Sequence, residues 1–148
     1  MAEKVIRNGT RIIIGLIGHD VHVVANRILH ELLKSRGYTV YNLRTDNTMD
    51  DFVDAVTETE AHAVLMSSLN GEAENWCRQA RTLLRESGFA DILLYIGGNI
   101  VVGERSREQV EAQFKGYGFD RVFYGGVDFD FVLDCLDGDL RRGSAVPA

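Results

Sequence analysis

Proline is nearly missing from this chain, with Pro147 the only one in 148 residues, and no Pro- or Ser-rich stretch marks a linker between domains. Cysteine is scarce as well. Cys77 and Cys135 are far apart and form no CxxC pair, which excludes a disulfide scaffold or a cysteine-rich zinc site and fits a reducing cytoplasm. Basic residues are in deficit: 16 Lys plus Arg face 22 Asp plus Glu, a formal net charge of −6. That sign is wrong for holding phosphate backbones, so nucleic acid is not an expected partner. Long apolar runs are also lacking. Clean runs such as Ile12 to Ile14 and Ile92 to Ile96 are far short of the roughly 18 residues of a membrane span, and the Met-Ala-Glu-Lys start does not read as a targeting segment.

What is present is an ordinary globular composition, 45% apolar and 26% charged, at a length that suits one core. Short runs rich in Ile, Val and Leu alternate with segments of helical period, the pattern of a parallel sheet wrapped by helices. The strands are expected at approximately Arg11 to Gly18, Thr39 to Leu43, Ala63 to Ser67, Ile92 to Gly97 and Arg121 to Tyr124. Between them, Val24, Ile28 and Leu32 form one helical stripe and Met49, Phe52, Val53 and Val56 a second; Trp76, Ala80, Leu83 and Leu84 form a third, and Val110, Phe114 and Tyr117 a fourth. Gly37, Gly88 and Gly118 stand where helices should stop. The domain is expected over residues 8–140, with residues 141–148 a frayed tail. The fold class predicted is α/β, a flavodoxin-like, Rossmann-like doubly wound sheet of five parallel strands in the order 2-1-3-4-5. Its ligands bind beyond the carboxyl ends of the strands, where strands 1 and 3 diverge.

Three segments fall at that edge. After strand 1, Asp20 and His22 are two residues apart in Gly18-His19-Asp20-Val21-His22-Val23. A metal-bound imidazole commonly donates its second N–H to a carboxylate, and Asp20 could accept it; on spacing alone, Asp20 could equally cap a helix and His22 be a surface residue. After strand 3 come Ser67, Ser68 and Leu69, hydroxyls that either face a ligand or close a turn. After strand 4, Gly97 and Gly98 precede Asn99, Ile100 and Val101. Consecutive glycines allow a planar group to lie against the chain, though a simple turn would also use them.

The three elements together, in this order, resemble the DxHxxG, SxL and GG pattern of the cobalamin-binding family. Within it they are most similar to the small, or sigma, subunits of glutamate (methylaspartate) mutase. The likeness extends to Ile14 through Gly18, Asn26 through Leu29, Gly97 through Gly103 and Gly118 through Val122, with Ala25 in place of the pattern's last glycine. The resemblance implies that adenosylcobalamin is carried with its dimethylbenzimidazole tail off the cobalt and buried in the domain. His22 is then the axial cobalt ligand, with Asp20 behind it. Val21 and Val23 lie at the corrin rim; Ser67, Ser68 and Leu69, with Gly97, Gly98, Asn99, Ile100 and Val101, line the tail's channel. The implied reaction is the radical rearrangement of L-glutamate to threo-3-methylaspartate, an isomerase activity whose hard step belongs to the cofactor. A chain of this length cannot contain a substrate-binding (β/α)₈ barrel of about 250 residues. The resemblance therefore implies a separate large barrel (epsilon) subunit, as a heterotetramer of two large and two small chains. Service to another mutase, corrinoid methyl transfer and, on fold likeness alone, a receiver-like signalling module are the competing readings.

Overall fold

The computed structural model describes residues 9–19, 22–126 and 128–145. Five parallel strands form one sheet in the order β2-β1-β3-β4-β5, the topology expected. They are β1 (Arg11–Leu16), β2 (Thr39–Asn42), β3 (Ala63–Ser68), β4 (Leu93–Gly98) and β5 (Arg121–Tyr124). The first helix, α1 (Val23–Ser35), and the last cover one face. Between them lie Ile12, Ile14, Leu65 and Tyr95 of the sheet, with Leu29 and Leu33 of α1 and Val132, Leu133 and Leu136 of the last helix. The opposite face of the sheet carries Ile13, Val64, Met66, Leu94 and Ile96. Strands buried on both sides need no polar alternation, which is why they read as unbroken apolar runs.

Helices α2 (Met49–Thr59) and α5 (Arg107–Gly116) each begin with a reciprocal capping box, Thr48 with Asp51 and Ser106 with Gln109. The third stripe is divided rather than continuous. It forms α3 (Ala73–Trp76) and α4 (Ala80–Glu86), separated by a turn at Cys77, where the chain re-aims so that Arg81 reaches the far edge of the sheet. The Arg81 guanidinium donates to the carbonyls of Gly118, Ala90 and Ile92 and pairs with Asp120 at 3.0 Å. Gly118, at φ +104°, is fixed by this approach as well as by its helix end, because a β-carbon there would stand 2.0 Å from the Arg81 Cβ. Cys77 is fully buried in the turn, and burial pushes its thiol up to about 12, which leaves it a packing residue.

The last helix, α6 (Phe129–Ala145), continues beyond Arg141, where fraying was expected. Its carboxylates are held from two directions. Asp137 accepts from the Tyr38 hydroxyl and from Arg36 at 3.0 Å. Asp139 accepts from Tyr95, from Arg142 and from Arg121 at 2.7 and 3.0 Å. The pairing of Asp139 with Arg142 spans one turn of the helix. Residues 146–148 lie outside the described residues. Among the described residues no helix is long and apolar enough to cross a membrane.

Candidate functional site

In-register parallel pairing sets side chains of neighbouring strands in rows across the sheet. At the carboxyl edge the row that faces α1 and α6 runs from Leu16 through Ser67 and Gly97 to Phe123. Upstream in the same columns the side chains are large, Leu65 and Tyr95, and they fill the space beneath the helices. At the edge row a serine and a glycine replace them, and the helices stay where the larger residues hold them. The result is a cavity of about 280 Å³ between sheet, α1 and α6.

Leu16, Ser67, Gly97 and Phe123 make its floor. Helix α1 contributes Ala25, Asn26 and Leu29, with His22 at the mouth as the N-cap residue. Helix α6 closes the other side with Phe129 and Val132. Apart from the Ser67 hydroxyl, the His22 ring and the Asn26 amide, the side chains named are hydrocarbon or aromatic. Such a lining suits an aromatic guest with a few polar atoms. Ala25 places its methyl group in this lining.

Of the residues singled out in the sequence, His22, Ser67, Leu69, Gly97 and Gly98 are brought together here. Asp20 and Val21 lie outside the described residues. Val23 is half-exposed on the outer side of α1, beside Asn42 and Arg44. Ser68 is fully buried and donates to Asn70 Oδ1 at 3.2 Å; that oxygen also accepts the Glu72 N–H at 3.1 Å, closing the turn into α3. Ile100 and Val101 pack into the core on the sheet's opposite face, and the Asn99 carbonyl accepts the Gly71 N–H at 2.9 Å. These residues tie the loops after β3 and β4 together. They stand behind the floor of the cavity rather than in its lining.

His19 is engaged elsewhere. Its N–H donates to Glu72 Oε2 at 2.8 Å and its ring meets Trp76 edge-on at 5.4 Å, on the opposite side of the end of β1. His22 does not cap α1 with its side chain, so the imidazole is not used to hold the helix start.

The lining residues that escaped the sequence reading include Tyr95, Phe123, Phe129 and Val132. Each looks like an ordinary core residue of its own element. Only the pairing of β4 with β3 and β5, with α6 packed above them, shows that they surround a gap. Asn26 is the other addition. It is 4% exposed, and its Nδ2 is the buried side-chain donor without a hydrogen-bond partner among the described residues. A buried amide donor left unmatched calls for an acceptor that the described residues do not supply.

A doubly wound sheet whose carboxyl edge opens into an apolar slot, with an imidazole at its mouth, defines a small-molecule-binding α/β domain. The B12 binding domain family model matches residues 10–125, which include every described cavity residue as far as Gly125. The glutamate mutase sigma subunit of Carboxydothermus hydrogenoformans is 43% identical over 87% of this chain and 94% of its own. That of Yersinia enterocolitica is 38% identical over 88% of both. Among solved structures, a cobalamin-binding protein from Desulfitobacterium hafniense superposes with a TM-score of 0.68 at 22% identity, over 86% of this chain and 58% of the other, and confirms the fold. The chain belongs to the glutamate mutase sigma subunit family of B12-binding domains.

Proposed function

We propose that this chain carries adenosylcobalamin for a glutamate mutase, with His22 as the axial ligand to cobalt and the cavity as the receptacle for the nucleotide tail. The observation that carries the reading is the convergence of His22, Ser67, Leu69, Gly97 and Gly98, drawn from three separate segments, on one slot. At about 280 Å³ the slot is just below the roughly 300–1,000 Å³ typical of ligand pockets, room for a bicyclic aromatic base and not for a corrin ring. The macrocycle would therefore lie outside, against the mouth where His22 stands. Among the described residues no group of three or more His, Cys, Asp or Glu could hold a bare metal ion. A metal bound through a single imidazole has to arrive with its own equatorial ligands, as cobalt does in a corrin.

The residues divide the work by chemistry. His22 supplies a neutral imidazole nitrogen, and Asp20, two residues before it, would accept the other ring N–H and fix the tautomer. Ser67 offers a hydroxyl to a ring nitrogen, and Leu16, Leu69 and Phe123 cover aromatic faces. When bound, adenosylcobalamin starts the carbon-skeleton rearrangement of L-glutamate to threo-3-methylaspartate by homolysis of its cobalt–carbon bond. The substrate site belongs to a separate large barrel subunit, assembled as two large and two small chains in the cytoplasm. The relatives' name, sigma subunit, supports such a partner.

The test is paramagnetic resonance of the reduced cobalt in the assembled protein, with this chain labelled by ¹⁵N. Splitting from a polypeptide nitrogen, lost in His22→Gly together with most cofactor affinity, is the expected result. A spectrum without that splitting, or unchanged by the substitution, overturns the ligand assignment.

A further inference from the structure

The unmatched amide of Asn26 is held in its orientation by a chain of hydrogen bonds that begins at the backbone. The Arg44 N–H can only donate, so the group it meets at 2.9 Å, Asn42 Oδ1, is an oxygen. That fixes the other end of the Asn42 amide as Nδ2, whose two hydrogens go to Asn26 Oδ1 at 2.8 Å and His30 Nδ1 at 3.0 Å. Asn26 is thereby obliged to turn its oxygen toward Asn42. Its Nδ2, buried and without a partner among the described residues, is left as the unused end of an amide that stands between this cavity and the polar cleft on the outer side of α1. Asn26 is also one helical turn beyond His22, so the two stand on the same side of α1. A buried donor that three other residues hold in a single orientation, at the wall of an apolar slot, costs the free protein stability and rewards a guest that brings an acceptor.

We infer that Asn26 is a specificity-determining hydrogen-bond donor to the nucleotide tail of the corrinoid, held in place by Asn42 and the Arg44 backbone. This rests on the cofactor reading above. The acceptor is a heterocyclic nitrogen or a ribose oxygen of the tail, because the slot is too small for the macrocycle.

The experiment compares wild type, Asn26→Leu and Asn26→Ala in spectroscopic titrations with cobalamin and with cobinamide, which keeps the corrin and cobalt but lacks the nucleotide. Leu keeps the volume and Ala removes bulk, and both residues favour helix; in either variant Asn42 loses its bond to Asn26 but keeps those to His30 and the Arg44 N–H, so the free chain is expected to fold with a melting temperature only a few degrees lower. Both variants should bind cobalamin about tenfold more weakly, the order of one buried hydrogen bond left unmade, and cobinamide as wild type does. Equal weakening for both corrinoids, or cobalamin affinity unchanged in either variant, overturns the inference. Failure of the wild type to bind cobalamin at all would sink the cofactor reading instead.

Discussion

A β-carbon on Gly98 would stand 2.3 Å from the Ser68 carbonyl oxygen and 3.0 Å from Leu69 Cδ2, and the residue sits at φ +103°. Both the space and the backbone forbid a side chain there. Gly98→Ala should lower stability by about 3 kcal/mol or more, combining the left-handed penalty with overpacking, read as a fall in the urea midpoint at unchanged slope. A midpoint within error of wild type would mean that the two strands part without cost. The neighbouring glycine has a different use: in the sheet row, Gly97 is the missing side chain that opens the cavity. The pair read from the sequence as one device is thus two, and only the register between β3 and β4 separates them. Asn26 was likewise invisible as a donor, because its unmatched state depends on a backbone N–H that lies eighteen positions away along the chain and meets Asn42 only in the fold.

At the scale of elements, α6 is the lid over half of the cavity, and two carboxylates pin it. Asp137 is 5% exposed and bound by Tyr38 and Arg36, whereas Asp134, also paired with Arg36 at 2.9 Å, is largely in solvent. Asp137→Ala should therefore cost roughly 3 kcal/mol, and Asp134→Ala less than about 1 kcal/mol, in denaturant unfolding. Equal losses would show that burial does not set the difference. A second element-level effect concerns the start of β3. His62 Nδ1 accepts the Arg11 N–H at 3.0 Å, and burial, with the nearby Arg11 charge, holds its pKa below the usual histidine value. The neutral form is thus the native one. The stability it contributes is present above the unfolded pKa of about 6.5 and is lost as pH falls through the lower folded value. Stability measured from pH 7.5 to 5 should decline more steeply in wild type than in His62→Gln; parallel curves would remove His62 from the account. The alternation of elements and three of the four helical stripes were legible because each is a local pattern; the first stripe was misplaced, since Val24 and Ile28 face solvent and α1 buries Leu29 and Leu33 instead. The break between α3 and α4 was not, since it answers to Arg81 reaching three carbonyls beyond its own segment.

For the whole molecule, binding to the folded state alone must appear as stability. Cobalamin at a hundred times its dissociation constant should add about 2.7 kcal/mol and raise the melting temperature by roughly 5 to 10 °C, an increase that His22→Gly reduces sharply. A melting temperature independent of cobalamin concentration would contradict binding to the folded chain. The parallel, doubly wound sheet was sufficient to direct attention to the carboxyl edge. It could not show the size of the opening there, which depends on α1 and α6 being held apart by Tyr95 and its neighbours.

The floor of the slot also bears on how such a domain can change over evolutionary time. Leu16, Ser67 and Phe123 point into it as side chains from three strands, so each can be exchanged without disturbing the pairing that holds the sheet. One position further along, Gly98 is locked by main chain on the adjoining strand. Descendants of this fold that take a differently shaped guest should have been re-cut along the first row, while the second stays fixed.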